Sequence, residues 1–326
     1  MKVLVTGAAG FLGSNLCELL LKKGFQVLGV DDLSTGNRDN LQYCFSFPSF
    51  EFLHHDIVYP FDRPADYIYN LASPASPPRY QADPIGTMKT NVIGTLNMLE
   101  LAKKYNAFFL QASTSEVYGD PEVHPQEERY VGHVNPIGIR ACYDEGKRAA
   151  ETLCFDFMRM HKLDIRVARI FNTYGPYMDP EDGRVVSNFI VRGLRHQPLE
   201  VYGDGSQTRS FCYVDDMVAA LYVFMMSPRN FTFPVNLGNP EEFKVIDLAH
   251  QVIEMLKSSS DIVFKDLPLD DPARRRPDIA RAKSLLEWEP TISLSAGLLK
   301  TIDYFRSRII SVAPETSSNE AIKNQI

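Results

Sequence analysis

The sequence has few cysteines, and they are not grouped. Cys17, Cys44, Cys142, Cys154 and Cys212 are scattered over 326 residues without a CxxC pair. That spacing supports neither a zinc site nor a disulfide framework, and no metal is expected. An odd count of unclustered thiols suits a reducing compartment. Long apolar runs are missing too: none approaches the roughly 20 residues of a membrane span. Met1-Lys2 passes straight into the strand-like run Val3-Leu4-Val5, so no signal peptide is expected. There is no excess of positive charge. The net charge is −7, which argues against a general attraction for nucleic acid or an anionic membrane. Any anionic small molecule must therefore be met by local arginines. Internal repeats and low-complexity segments are also absent.

What is present is ordinary globular composition, 44% hydrophobic and 23% charged, enough for a large core without staples. The first half alternates strand and helix signals. Strands are expected at Lys2–Thr6, Gln26–Val30, Phe50–His54, Asp66–Leu71, Ala107–Ala112 and Asp164–Ile170. Helices are expected at Phe11–Lys23, Pro84–Tyr105 and Cys142–His161. This alternation implies an α/β fold whose parallel sheet is covered on both faces. From about Pro176 the character changes. Arginine-rich, proline-punctuated stretches (Glu181–Arg184, Tyr202–Phe211, Asp270–Asp278) separate helical patterns at Val185–Arg195, Val245–Lys257 and Ser295–Arg308. We read residues 1–175 as a nucleotide-binding domain. Residues 176–310 read as a smaller C-terminal lobe interleaved with the last strands, and 311–326 as a flexible tail.

Thr6-Gly7-Ala8-Ala9-Gly10-Phe11-Leu12-Gly13 joins the first strand to the first helix. Such glycines permit a tight turn and let a pyrophosphate approach the backbone at a helix N-terminus, where unpaired N–H groups and the dipole favour an anion. The GxxGxxG spacing alone is a weak signal, since a strand-to-helix turn can need glycine for purely structural reasons. Asp31 strengthens it, standing after the second strand about 20 residues on. A carboxylate there accepts hydrogen bonds from ribose hydroxyls and repels a 2′-phosphate, which favours NAD over NADP. The alternative is a solvated Asp31-Asp32 turn. Asp56 and Ile57 follow the third strand and face the expected adenine side. Leu71-Ala72-Ser73 ends the fourth, where a parallel sheet opens its ligand crevice.

Tyr143 and Lys147 form a YxxxK pair on the helix Cys142–His161. A spacing of four puts both side chains on one face. A tyrosine has an ordinary pKa near about 10, too high for an efficient base at neutral pH. A neighbouring ammonium is expected to favour the phenolate. An isolated YxxxK would more often be a chance surface pair. Here Thr114, Ser115 and Glu116 stand at the end of the fifth strand, where hydroxyls point into the crevice, and Thr114 can orient a substrate hydroxyl toward Tyr143. For Glu116 an exposed loop charge is the blander alternative.

The glycine motif, Ser113-Thr114-Ser115-Glu116-Val117-Tyr118-Gly119 and YxxxK together resemble the extended short-chain dehydrogenase/reductase family. The resemblance narrows to its UDP-glucuronate decarboxylases. It rests on Ala72 to Pro78, Asn135-Pro136-Ile137-Gly138, Ala141 to Arg148, Arg184 to Phe189, Gln207 to Phe211, and Asp270-Asp271-Pro272 with Arg275 and Pro277-Asp278-Ile279. It runs from Lys2 to about Phe305. Within the family, 4,6-dehydratases usually carry Asp-Glu after the threonine, and 4-epimerases generally lack the glutamate. Ser115-Glu116 matches decarboxylases. Arg79 stands where relatives are expected to carry a smaller polar residue.

The resemblance implies a Rossmann-type doubly wound parallel sheet with a smaller substrate-binding lobe, bound NAD, and the substrate and product UDP-glucuronate and UDP-xylose. It implies that Lys147 holds the nicotinamide ribose. It implies UDP contacts from Asn172, Asn188, Phe189, Tyr202, Gln207 and Arg209, with Arg184, Val185 and Glu116 also on the substrate side. Phe189 reads almost equally well as a core aromatic. Of the Arg274-Arg275-Arg276 cluster, Arg275 is expected to enter the site and at least one neighbour to stay out. The implied chemistry is oxidation at C4, loss of the C6 carboxylate from the 4-keto sugar, and re-reduction. The alternatives are a decarboxylase that releases the 4-keto-pentose, a 4-epimerase or 4,6-dehydratase, and a non-catalytic NAD-binding scaffold. Some relatives carry an N-terminal membrane anchor; none is expected here, which points to a cytoplasmic protein. Relatives pair helices like those around Leu96–Tyr105 and Ala149–Met160 across a two-fold axis, so a homodimer is expected.

Overall fold

Val3, Leu4 and Val5 are all buried, so the first strand is covered on both faces as the inner strands of a parallel sheet are. The computed structural model describes residues 1–229, 231–267 and 274–312. Asp270-Asp271-Pro272 and most of the expected tail lie outside the described residues. The central sheet uses β1 (Lys2–Thr6), β2 (Gln26–Asp31), β3 (Phe50–His54), β4 (Tyr67–Asn70), β5 (Phe108–Thr114), β6 (Ile165–Ile170) and β7 (Val235–Leu237). All seven are parallel and lie in the spatial order β7-β6-β5-β4-β1-β2-β3. This is the doubly wound Rossmann arrangement, and the order reverses between β1 and β4. The crevice above that reversal is where such sheets bind ligands.

The helices begin with α1 (Phe11–Lys22), α2 (Pro77–Ala82), α3 (Pro84–Lys89), α4 (Thr95–Tyr105), α5 (Ala141–His161) and α6 (Val185–Leu194), of which α1, α4 and α5 pack on the sheet. The expected single helix Pro84–Tyr105 is α3 and α4 joined by a π-helical turn at Thr90–Gly94. Gly94 lies so close to Ile57 that a Cβ would come within 2.6 Å of its side chain. The helix Val214–Met226 gives little sequence signal because it is apolar nearly all round. Met217, Leu221 and Phe224 are fully buried, and no polar face marks the period.

After β6 the chain builds small sheets beside the crevice mouth. Thr208–Ser210 pairs antiparallel with Glu242–Lys244 and parallel with Arg274–Arg275, which sets Arg275 directly opposite Arg209. Leu199–Tyr202 pairs with Ile262–Lys265. The strand β7 returns to the main sheet beside β6. Helix Leu294–Val312 extends past the expected start of the tail at 311. No helix among the described residues is long and apolar enough to cross a membrane.

Candidate active site

A cleft of about 1330 Å³ lies over the C-terminal ends of the strands. Its floor begins at the β1–α1 turn. Gly7 has φ +68°, and a Cβ there would meet the Ala72 backbone at 2.9 Å. At Gly13 a Cβ would come within 2.0 Å of the Gly7 carbonyl oxygen. Glycine is thus required for the loop to fold tightly under the helix. The N-terminus of α1 has Gly10 as its cap residue and no side chain on its leading amides. The Thr6 hydroxyl donates to Asn70 Oδ1 (2.8 Å) and accepts from the amides of Leu71 and Ala72 (3.1 Å each), which ties the ends of β1 and β4 together at the switch point.

Asp31 closes one side of this cradle. Its Oδ2 accepts from the Ala9 amide at 2.9 Å and its Oδ1 from the Leu33 amide at 2.8 Å. Burial raises its pKa, and those two amides oppose the rise. Asp56 caps its own turn through the Val58 amide at 2.9 Å, and Ile57 packs beneath Gly94. Open helix amides, a turn that admits no Cβ at Gly7 or Gly13 and an acid at the end of β2 fit a dinucleotide: pyrophosphate over Gly10–Gly13, adenosine ribose toward Asp31. The sequence motif did not point to Gly36, Asn37 and Arg38, which also line this end.

The fifth strand ends in Thr114, followed by a 3-10 turn at Ser115–Tyr118. Thr114 Oγ1 accepts from the Glu116 amide at 3.2 Å, and its hydroxyl also hydrogen-bonds Tyr143. Tyr143 stacks on Tyr80 with ring centroids 5.2 Å apart and planes within 6°. Lys147 Nζ donates to the Ala112 carbonyl at 2.9 Å and lies 5.7 Å from the Tyr143 ring centroid. The expectation that Lys147 lowers the Tyr143 pKa is not met in the protein alone. Burial pushes Tyr143 up to about 12, against the Thr114 hydrogen bond, and pushes Lys147 down to about 8. Desolvation penalises the charged form of each and is the largest cause of both shifts.

Glu116 is held by two arginines. Arg140 Nη2 donates to its Oε2, and Arg275 Nη2 reaches the same oxygen at 3.2 Å. Burial alone would raise this carboxyl, but the guanidiniums of Arg275 and Arg140 outweigh it and hold the pKa below the ordinary range. Arg275 is 2% exposed; it also donates to the Ser115 carbonyl and to that of Gly119 at 3.3 Å. Its neighbours differ: Arg274 is exposed, and Arg276 reaches Glu242 at 3.5 Å.

On the opposite rim, Arg184 is oriented by Asp182 (Nε–Oδ1 2.9 Å) and lies 5.9 Å from the Phe11 ring centroid. Asn172, Val185, Asn188, Phe189, Tyr202, Gln207 and Arg209 line the same cleft. Phe189 is 1% exposed and belongs to the core as well as the wall. Gln207 donates to the Tyr202 carbonyl at 2.7 Å. Arg79 bridges to Asp179 across the cleft mouth. Each candidate cofactor, catalytic and substrate residue read from the sequence therefore lines one cavity, Ser73 and Ser115 included, while Arg274 and Arg276 do not. Sequence reasoning missed Arg140, Tyr80, Asp144 and Asp182. Arg140 sits three residues before Tyr143, but its partner is 24 residues away, and only the fold brings the two together.

The model of the NAD dependent epimerase/dehydratase family matches residues 3–238. UDP-glucuronic acid decarboxylase 1 of Xenopus tropicalis is 54% identical over 308 residues, covering 94% of this chain and 73% of the relative. Among solved structures, an epimerase from Methanothermobacter thermautotrophicus superposes with a TM-score of 0.89 at 29% identity, over 95% of this chain and 93% of that one. The UDP-glucuronic acid 4-epimerase of Bacillus cereus, in complex with UDP-glucuronic acid and NAD, gives 0.85 at 28% identity over 94% of this chain and the whole of the other.

Proposed function

The chain belongs to the NAD dependent epimerase/dehydratase family, and from that premise we propose that it decarboxylates UDP-glucuronate to UDP-xylose and carbon dioxide with bound NAD. The observation that carries the choice within the family is the state of Ser115-Glu116. Ser115 has no acidic proton, and Glu116 is kept ionised between Arg140 and Arg275. Neither can protonate a leaving C6 hydroxyl, as a dehydration would require. An ionised carboxylate flanked by guanidiniums suits a substrate whose C6 is itself a carboxylate that must leave as a neutral molecule.

Bound NAD supplies the oxidant at C4 and afterwards the reductant at the same carbon. The chain's residues do the rest. Tyr143 takes the C4 hydroxyl proton, oriented by Thr114. Lys147, which must be charged to help, holds the nicotinamide ribose. The resulting 4-ketone lies β to the carboxylate, so the C5–C6 electron pair can pass into the ketone as carbon dioxide departs. Thr114 and protonated Tyr143 donate hydrogen bonds to the enolate oxygen. Glu116 destabilises the nearby substrate carboxylate, and Arg275 and the Ser115 hydroxyl keep it aligned. A proton then adds to C5, and Tyr143 returns the first proton to the C4 oxygen. Residues 1–175 carry the NAD half of this work and the groups that act on the sugar ring (Thr114, Ser115, Glu116 and Tyr143), and 176–310 carry most of the UDP contacts, with Asn172 crossing over. The UDP contacts are Asn172, Asn188, Phe189, Tyr202, Gln207 and Arg209, and Arg184 faces the phosphates.

The protein works as a cytoplasmic homodimer in this reading. Exposed Ile93 and Leu96 near the start of α4 and Met160 at the end of α5 support the dimer. The decisive experiment incubates pure protein with UDP-glucuronate and only catalytic NAD. UDP-xylose with no accumulating NADH is the expected result. Carbon dioxide with stoichiometric NADH would mean release of the ketopentose, and no turnover would overturn the assignment.

A further inference from the structure

Asp144 follows Tyr143 on α5 but does not line the cleft. Its side chain lies behind Arg140, with Oδ2 4.0 Å from Arg140 Nε one helical turn away. Its other oxygen is buried and has no hydrogen-bond partner. Arg140 is thus shared. Its Nη2 donates to Glu116, which lines the cleft, and its Nε, on the same edge of the guanidinium, stands beside a carboxylate that has no other strong contact. With Arg275 the group is a buried quartet: two guanidiniums and two carboxyls. Its net charge is zero when Asp144 is ionised and positive when Asp144 is protonated.

We propose that Asp144 is a positioning residue that sets how much of Arg140's charge is available to the cleft. Ionised Asp144 draws the guanidinium back; protonated Asp144 leaves it to Glu116 and to an anionic sugar. This rests on the decarboxylase reading, because the effect requires a substrate with a carboxylate on its sugar. Burial first, then the charge of Glu116, places the Asp144 pKa at about 7, with Arg140 and Arg275 opposing the rise. The group therefore changes state within the working range. The charged and titratable groups that face it are Arg140, Cys142, Tyr143 and Glu145 on its own helix, Glu116 from the turn after β5, Arg275 from its short strand and Tyr80 from α2. Burial pushes the Tyr80 hydroxyl well above its ordinary pKa, so it stays protonated and does not titrate alongside. A second anion entering the cleft favours the protonated form of Asp144. Binding of UDP-glucuronate and proton uptake are thereby linked.

The test is the pH dependence of KM, separated from that of kcat, in the parent holoenzyme, Asp144→Asn and Asp144→Glu. The parent KM for UDP-glucuronate should rise about sevenfold between pH 6 and 8.5, toward the tenfold limit for a one-unit rise of the Asp144 pKa on binding. Asp144→Asn should show a low, flat KM, and Asp144→Glu should restore the rise. A KM profile of Asp144→Asn that tracks the parent overturns the proposal. A calorimetric titration of Tyr143→Phe holoenzyme avoids changing Asp144 at all. Near pH 7, UDP-glucuronate should bind with proton uptake and UDP-xylose without it; equal uptake by both overturns the proposal. A parent that makes no UDP-xylose would instead sink the decarboxylase reading, and the calorimetry would still decide the role of Asp144.

Discussion

Arg140 and Arg275 both reach Oε2 of Glu116, so in the proposed mechanism this carboxylate acts as a fixed negative charge. Glu116→Gln keeps the shape and removes the charge. Turnover should fall by about 100-fold or more, the scale typical of losing one charged catalytic group. UDP-xylose affinity should change little. Undiminished turnover would remove Glu116 from the mechanism. At Asp144 the folded pKa is raised above the unfolded one. Its contribution to stability is therefore fully present at low pH and is lost as pH rises toward about 7. Asp144→Asn should melt higher than the parent at pH 8, by about 2 °C or more, with the gap narrower at pH 5. A constant difference at both pH values would mean that Asp144 does not titrate there.

Among the elements, the β1–α1 turn makes the sharpest demand on sequence. Gly13→Ala would set a Cβ 2.0 Å from the Gly7 oxygen and force the loop open. Purified protein should then retain little NAD, with affinity down by about tenfold or more because the loop no longer presents its amides together. Gly24 is the control. It has φ +84° but open space around it, so Gly24→Ala should cost about 1 kcal/mol of strain and leave NAD binding unchanged. The rim pair Arg79–Asp179 is about two-fifths exposed on each side. Arg79→Ala should therefore cost no more than about 1 kcal/mol in stability.

For the whole molecule, net charge and local charge point in opposite directions. An acidic chain gathers Arg140, Arg184, Arg209 and Arg275 around one cleft and compensates them unevenly. The proposed homodimer belongs to this scale too. The half-exposed Ile93 and Leu96 lie on the helical segment beside α5, and a two-fold contact would bury each twice. Leu96→Asp should raise the dimer dissociation constant by about tenfold or more in sedimentation, since a charge in the centre of an apolar contact is left unpaired. An unchanged sedimentation profile would place the interface elsewhere.

The strands through β6 and helices α1 and α5 were legible because each strand is a short β-branched or aromatic run closed by glycine or a polar turn and each of these helices keeps an apolar stripe; the short α2 and the break between α3 and α4 were not. Glycine spacing, Asp31 and YxxxK were legible because their geometry is local: a turn, a strand end, one face of a helix. Helix Val214–Met226 was not, since burial on every side erases its period. The partners of Glu116 were not legible either. Arg275 stands 159 residues away and reaches it only because its two-residue strand pairs beside Arg209. Asp144 reads in sequence as one more polar helix position, and its burial behind Arg140 is a product of packing. Sequence by itself determined the residue types and their local spacing, and with them the cofactor and the class of chemistry. The tertiary structure alone decided which charges face each other out of water, because burial and long-range pairing set both protonation and reach.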